Sequence, residues 1–285
     1  MHDEHTELGN GRVSLREPAD RWTTSSSRMG FLKGMAAAGA GVVGLGALTP
    51  GAVLAGARKA SGGLTAGDLA ILEAAEIAEA LAVTTYSNII NTAPFFKHLP
   101  SDDQGYLKAA LQEEMSHYLL EQSVTGKGTA YTTFYYPANM FSDAQTTLNI
   151  LVTLEDAFIA AYLIGVRDFS TADLRVTAAR IMGIESDHRT LARVVGPDVA
   201  SRDGGPITKI TGIQKSAEPA APPNNNGYER TLSLTNISQA VTALLPFVDA
   251  SAAGKAGFNA KKGYKFAPFT PTLPNPLGAF HSYNG

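Results

Sequence analysis

Two short sequences in the chain, Glu114–His117 and Glu185–His188, each place a histidine three residues after a glutamate. Residues three apart on a helix share one face, so each pair can direct a carboxylate oxygen and an imidazole nitrogen at one centre. A further glutamate, Glu79 or Glu155, precedes each pair on an earlier apolar segment. The sequence therefore repeats the pattern Glu…Glu-x-x-His, and both residue types are common metal ligands.

Four glutamates and two histidines on four helices are the ligand set of di-iron and di-manganese carboxylate proteins. Four carboxylates repel one another in an empty site, and two divalent cations neutralise their charge. Oxygen and imidazole ligands suit Fe and Mn. The absence of cysteine excludes thiolate zinc sites and iron–sulfur clusters. We expect two divalent ions, Fe or Mn, and six ligands: Glu79, Glu114, His117, Glu155, Glu185 and His188.

A tyrosine follows the first glutamate of each half by seven residues, Tyr86 after Glu79 and Tyr162 after Glu155. Two helical turns separate each pair, so its members lie on the same helix face. These tyrosines are candidate catalytic residues, either hydrogen-bond donors beside the ligands or redox-active phenols. The alternative is that they are core aromatics whose hydroxyl groups reach an ordinary polar partner. Glu76, one turn before Glu79, is an alternative ligand, but the tyrosine spacing favours Glu79.

The other acidic residues near these motifs are given no ligand role. Glu113 is rotated by about 100° from Glu114 around the helix axis and is expected to face solvent. Four more are assigned to solvated faces or to positions beside the ligands: Glu73, Glu121, Asp156 and Asp187.

Apolar residues recur at three- and four-residue spacing from about Leu64 to Val195, which indicates amphipathic helices. Thr65 and the sequences Ser101-x-x-Gln104 and Ser142-x-x-Gln145 are start signals, the last two as capping boxes. The second and third helices are separated by about seventeen residues, whereas the other two connections are shorter. The prediction is an all-α four-helix bundle of two antiparallel pairs with a long crossover: Ala66–Ile90, Asp102–Val124, Asp143–Val166 and Ala172–Val195.

The first 57 residues have the parts of an export signal: a polar n-region, the apolar segment Met35–Leu48 and a small-residue cleavage site at Ala55–Ala57. The segment Ser27–Lys33 resembles the twin-arginine motif, with Met29 in the place of the second arginine. A membrane anchor is the alternative, but the apolar segment is shorter than the roughly 20 residues that span a bilayer. We expect cleavage and a mature protein that is periplasmic or extracellular, without a permanent membrane anchor.

Residues 196–285 differ in composition from the predicted bundle at 64–195. They contain a linker at Ala220–Gly227, one predicted short helix at Ile237–Leu245 and an aromatic tail at Phe258–Tyr283. The tail is too aromatic for a solvated segment, so we expect it to pack on the bundle or on a neighbouring subunit. The net charge of −3 provides no basic field for binding nucleic acid.

Residues 64–195 resemble the ferritin-like superfamily, and more narrowly the exported ferritin-like proteins that include the plant desiccation-related proteins. The motifs that carry the resemblance are Glu79-x6-Tyr86, Glu114-x-x-His117, the segment Leu154–Tyr162, Glu185-x-x-His188 and the aromatic crossover Tyr131–Phe141. The resemblance implies a four-helix bundle whose six Glu and His residues are metal ligands. It further implies that Glu114 and Glu185 bridge the two metals.

The metal determines which activity such a site would have. Iron would make the protein a ferroxidase that consumes oxygen or peroxide, and manganese would make it a peroxide-disproportionating catalase. The alternative is a non-enzymatic desiccation- or stress-associated protein, or a structural one, whose bundle the metals stabilise. The expected partners are therefore metal ions with peroxide or oxygen, and a homo-oligomer is compatible with the sequence.

Overall fold

The computed structural model describes residues 63–198 and 234–272 of the 285-residue chain. The predicted export segment at 1–57, the linker at Ala220–Gly227 and the end of the aromatic tail lie outside these ranges. The predictions for those segments therefore stay predictions.

Four long helices form the main body: α1 (Ala66–Thr92), α2 (Ser101–Thr125), α3 (Ala144–Asp168) and α4 (Ala172–Asp198). α1 packs mainly on α2 and α3 mainly on α4, while contacts between α1 and α3 join the two pairs. The predicted all-α helical bundle is confirmed. Each helix extends one to three residues beyond its predicted end, as is common at helix termini.

The helix starts differ in part from the predicted caps. Thr65 and Asp68 form a reciprocal capping box at α1, as Thr65 indicated. The predicted box at Ser101 is wrong, because Pro100 precedes α2 and no side chain caps this helix. At α3 the cap is Asp143, whose carboxylate accepts from the Thr146 amide, rather than Ser142.

α3 is the helix among those described that is long and apolar enough to cross a membrane. Its apolar stretch is 78% buried inside the protein, and it carries the buried carboxylate of Glu155. Both properties are those of a core helix in a bundle, where neighbouring helices cover the apolar surface.

The crossover between α2 and α3 packs against the C-terminal region. Its short strand β1 (Thr133–Phe134) pairs antiparallel with β2 (Tyr264–Lys265). The described C-terminal region also contains two helices before β2: α5 (Ile237–Val248), which continues past Pro246, and α6 (Ala250–Lys255). The sequence predicted an end at Leu245 and did not predict α6. In the described part of the aromatic tail, Phe258 and Phe266 are buried.

Candidate metal centre

Each of the four long helices contributes to one cluster of buried carboxylates and imidazoles. The cluster contains all six residues that the repeated motif singled out, and none is more than 9% exposed. They lie on α1 (Glu79), α2 (Glu114 and His117), α3 (Glu155) and α4 (Glu185 and His188).

Within the cluster, the six residues form two groups that share Glu114 and Glu185. The first group adds Glu79 and His117, and the second adds Glu155 and His188. In each group every residue offers one ligand atom, and these atoms lie within 4.8 Å of one another. The two shared glutamates stand between the groups, as bridging carboxylates would.

The individual distances show how closely the histidines approach the carboxylates. His117 Nδ1 lies 3.5 Å from Glu79 Oε2, 3.6 Å from Glu114 Oε2 and 3.3 Å from Glu185 Oε1. His188 Nδ1 lies 2.8 Å from Glu114 Oε1 and 3.5 Å from Glu185 Oε2. Each ring thus directs the same nitrogen, Nδ1, at the shared pair of carboxylates.

The donor atoms of the cluster could hold metal ions, because many of them make no hydrogen bond to one another. Among the residues that the structure describes, eight buried atoms of these six side chains make no hydrogen bond: Glu79 Oε2, Glu114 Oε1 and Oε2, His117 Nδ1, Glu155 Oε2, Glu185 Oε1 and Oε2, and His188 Nδ1. A buried polar atom without a partner is costly, and a metal ion between such atoms removes the cost. Oxygen and imidazole nitrogen are donors that Fe and Mn accept.

Residues 67–196 match the family model described as a ferritin-like domain. The four-helix bundle is therefore similar to ferritin-like domains. The match covers the four long helices almost completely and excludes the C-terminal region. No curated protein matches the chain.

Two tyrosines form hydrogen bonds between the two halves of the bundle. Tyr86 of α1 donates a 2.7 Å hydrogen bond to Glu155 of α3, and Tyr162 of α3 bonds Glu79 of α1. Both phenols therefore touch a candidate ligand of the opposite half. Of the alternatives that the sequence left open, these contacts favour a role beside the ligands, although both rings are also buried.

Burial and the neighbouring charges shift the pKa values of the cluster. Burial raises the pKa of Glu79 and Glu155, and repulsion from the shared glutamates raises both further. Burial alone would lower the pKa of His117 and His188, but the surrounding carboxylates outweigh it and raise both. Without metal the cluster therefore holds protons, which bound metal must displace.

Glu113 contacts a candidate ligand, which the sequence analysis did not predict. It is half-buried rather than solvated, and its Oε2 lies 2.8 Å from Nε2 of His188. The hydrogen bond from the His188 ring lowers the pKa of Glu113, so this carboxylate accepts and Nε2 donates. In neutral His188 the lone pair then lies on Nδ1, the nitrogen that faces the cluster.

Glu121, expected on a solvated face or beside the ligands, is buried and lies beside them, hydrogen-bonded to Tyr162 at 2.7 Å. It follows His117 by four residues and Glu114 by seven, so its spacing was a signal for the same helix face. Glu73 and Asp156 are also buried, whereas Asp187 is exposed as expected.

Glu76 does not replace Glu79 as a candidate ligand. It belongs to neither group and instead accepts a hydrogen bond from the Thr125 hydroxyl. Burial raises the pKa of Glu76 to about 7.

Proposed function

We propose that the ferritin-like domain binds two divalent Fe or Mn ions and uses them to oxidise metal or to consume peroxide or oxygen. The observation that supports this proposal best is the pair of residue groups sharing Glu114 and Glu185. Two shared carboxylates between two histidine-containing groups favour a dinuclear site over two separate ones. When bound, a pair of redox-active divalent ions supplies electrons in pairs to oxygen or peroxide.

The protein residues hold, orient and insulate this site. The carboxylates supply charge that two divalent ions neutralise, so loading removes the repulsion that raises the pKa of Glu79 and Glu155. Tyr86 and Glu113 fix the positions of Glu155 and His188 through hydrogen bonds. The buried surroundings exclude bulk water, which strengthens electrostatic interactions at the site.

We further propose that the mature protein works outside the cytoplasm, in stress protection. The support is the export-type pattern of residues 1–57, with Met29 in the twin-arginine-like segment. The amino-terminal sequence of protein recovered from the periplasm or medium tests this directly. A mature amino terminus shortly after Ala57 is expected, and intact cytoplasmic protein would contradict export.

The activity is tested by loading metal-free protein with Fe(II) or Mn(II), then measuring metal content, peroxide consumption and oxygen uptake. Glu185→Ala should abolish both binding and turnover. Asp187→Ala is the matched control, because this exposed carboxylate lies between Glu185 and His188 on the same helix. Metal binding without turnover would overturn the enzymatic proposal in favour of a metal-stabilised stress or structural protein. Absence of metal binding would overturn both.

A further inference from the structure

A small cavity lies between the four long helices, beside Tyr162 of α3. Each of the other three helices contributes to its lining, for example through Ala75 of α1, Leu120 of α2 and Ala178 of α4. The volume of about 20 Å³ exceeds the roughly 10–15 Å³ that one water-sized sphere occupies. The cavity can therefore hold a very small molecule.

The polar groups of the cavity wall leave little for a polar molecule to bind. The lining is apolar apart from Glu121, Tyr162 and Thr177. The hydroxyl of Tyr162 is already hydrogen-bonded to Glu79 and Glu121, and the hydroxyl of Thr177 donates to the backbone carbonyl of Asp173. Of the three, Glu121 retains a buried oxygen, Oε2, without a hydrogen bond to a described residue. A buried water needs roughly two to four polar partners, so an apolar molecule suits this cavity better.

The position of the cavity relates it to the candidate metal centre. Leu120 and Val124 of α2 and Thr177 of α4 are half-buried, so this side of the lining reaches the outer part of the bundle. On the inner side the lining includes the buried Tyr162, which contacts Glu79. Glu79 belongs to the first candidate ligand group. The cavity thus lies between the outer part of the bundle and this group.

Two small side chains account for the space, and the repeated motif has larger ones at the equivalent positions. Ala75 precedes Glu79 by four residues, and its counterpart in the other half is Leu151. Ala178 lies seven residues before the Glu-x-x-His sequence of α4, and its counterpart on α2 is Leu107. Both leucines are buried. The space is therefore left by alanines of one end, where the repeat alone would place leucine side chains.

We propose that this cavity binds dioxygen and delivers it to the first candidate ligand group. Dioxygen is a small apolar molecule that needs no hydrogen-bond partner, and dry apolar cavities take up such molecules. Hydrogen peroxide donates and accepts hydrogen bonds, which it would lose against an apolar wall. The inference rests on the proposed function and deepens it, because it selects dioxygen over peroxide as the oxidant that uses this route.

Xenon is the probe for the cavity, because this apolar atom enters dry apolar cavities. Metal-loaded wild-type crystals under xenon pressure should show an anomalous peak between Ala75 and Ala178. Ala75→Leu should remove the peak, because the added side chain fills the space, and should retain the metal. Ala70→Leu is the matched control and should keep the peak, because Ala70 is a half-buried residue of α1 outside the lining.

The wild-type measurement needs no variant, so it decides the matter even if Ala75→Leu does not fold. A wild-type cavity without xenon would overturn the proposal, and so would an ordered water that xenon does not displace. Ala178→Leu fills the same space from α4 and should remove the peak in the same way.

Oxygen uptake at varied concentrations of dissolved oxygen tests the delivery. Ala75→Leu should raise the KM for oxygen several-fold and change kcat little, because the candidate ligands are untouched. Its kcat/KM should fall more for oxygen than for peroxide, and Ala70→Leu should resemble wild-type protein in both. An unchanged KM for oxygen in a variant that has lost the xenon peak would overturn the proposal, as would an equal loss with both oxidants.

Metal analysis of the xenon-treated crystals separates the two proposals. Bound metal without xenon in the cavity contradicts the oxygen site and leaves the proposed function standing. Xenon in a protein that binds no Fe or Mn contradicts the proposed function, and with it the delivery of oxygen. Metal-loaded wild-type protein that consumes peroxide and takes up no oxygen contradicts the choice of dioxygen alone.

Discussion

The α1–α2 half and the α3–α4 half of the bundle carry the same motif in different surroundings. In each half a glutamate precedes a tyrosine by seven residues and a Glu-x-x-His sequence follows on the next helix. The tyrosines bond across the halves, Tyr86 to Glu155 and Tyr162 to Glu79. Each half therefore supports a ligand candidate of the other, and neither forms the site alone.

The surroundings of the repeated residues break this symmetry. His188 is held by Glu113, whereas the residue before Glu185 is Ile184. Tyr162 contacts Glu121, whose counterpart is Ala192. The repeat thus determines which residues converge, and the unrepeated neighbours determine which hydrogen-bond partners surround each tyrosine and histidine.

Buried charge also differs between the halves. In the second half the fully buried Arg189 lies 3.1 Å from Asp156. The corresponding positions of the first half are Tyr118 and Ala80. The first half instead buries additional carboxylates, such as Glu76, on the same helix as Glu79.

The largest expected effect is the loss of bound metal when a glutamate shared by the two groups is removed. Glu114→Ala and Glu185→Ala should each reduce bound metal from about two ions per chain to none, because each glutamate serves both groups. His117→Ala and His188→Ala should each weaken one position more than the other. Elemental analysis after metal loading measures this. Full occupancy in either glutamate variant would show that the halves bind independently.

A core substitution in the C-terminal region should lower the unfolding free energy without changing the metal content. The ring of Phe247 is fully buried and lies 5.0 Å from that of Phe258. Phe247→Ala should cost about 3–5 kcal/mol of unfolding free energy and leave metal content unchanged. Tyr106→Ala, at a 60% exposed position, should change stability by less than about 0.5 kcal/mol. Denaturant unfolding with metal analysis distinguishes the two variants; equal effects would contradict the packed extension.

Metal should stabilise the bundle and reverse its response to pH. Ligand at a hundred times its dissociation constant adds about 2.7 kcal/mol to the unfolding free energy. In metal-free protein the raised pKa values of Glu79, Glu155 and the histidines make stability fall as pH rises above the unfolded-state values of 4.5 and 6.5. The loaded protein should gain stability over the same interval, because protons compete with metal.

Thermal unfolding with and without metal, at about pH 6 and about pH 8, measures both effects. Glu114 does not change this direction, because its pKa is lowered and its contribution is lost only in acid. A metal-free protein that becomes more stable from pH 6 to pH 8 would contradict a cluster of buried like charges.

The smallest expected effect is a difference in stability between variants of the two tyrosines. Tyr162→Phe removes a hydroxyl between two carboxyl groups, and Tyr86→Phe removes one that bonds a single carboxyl group. Hydrogen bonds to charged groups contribute about 1.5–3 kcal/mol, so Tyr162→Phe should destabilise loaded protein more. Tyr136→Phe, whose partner is the neutral hydroxyl of Thr85, should cost least. Equal losses for Tyr86 and Tyr162 would make the asymmetry between the halves irrelevant to stability.

The four helices and the six converging residues could be predicted because both depend on local spacing. Apolar periodicity identifies a helix, and a three-residue separation places Glu114 and His117 on one face whatever the rest of the chain does. The cap of α3 was placed one residue early because Ser142 and Asp143 are both good capping residues.

The remaining features depend on contacts between distant parts of the chain. Glu113 meets His188 across 75 residues, and β1 meets β2 across more than 120. Glu121 is expected on a solvated face or beside the ligands, and its spacing alone does not decide between the two. Its burial depends on Tyr162 of α3, which lies 41 residues further along the chain.

The most direct test of the metal centre is anomalous X-ray diffraction from crystals loaded with Fe or Mn, with data collected at the absorption edge of the metal. Two peaks should appear about 3.5–4 Å apart, as in other two-metal sites. One should lie beside Glu79 and His117 and the other beside Glu155 and His188, with Glu114 and Glu185 contacting both. A loaded crystal with no anomalous peak among these six side chains would contradict the proposed centre.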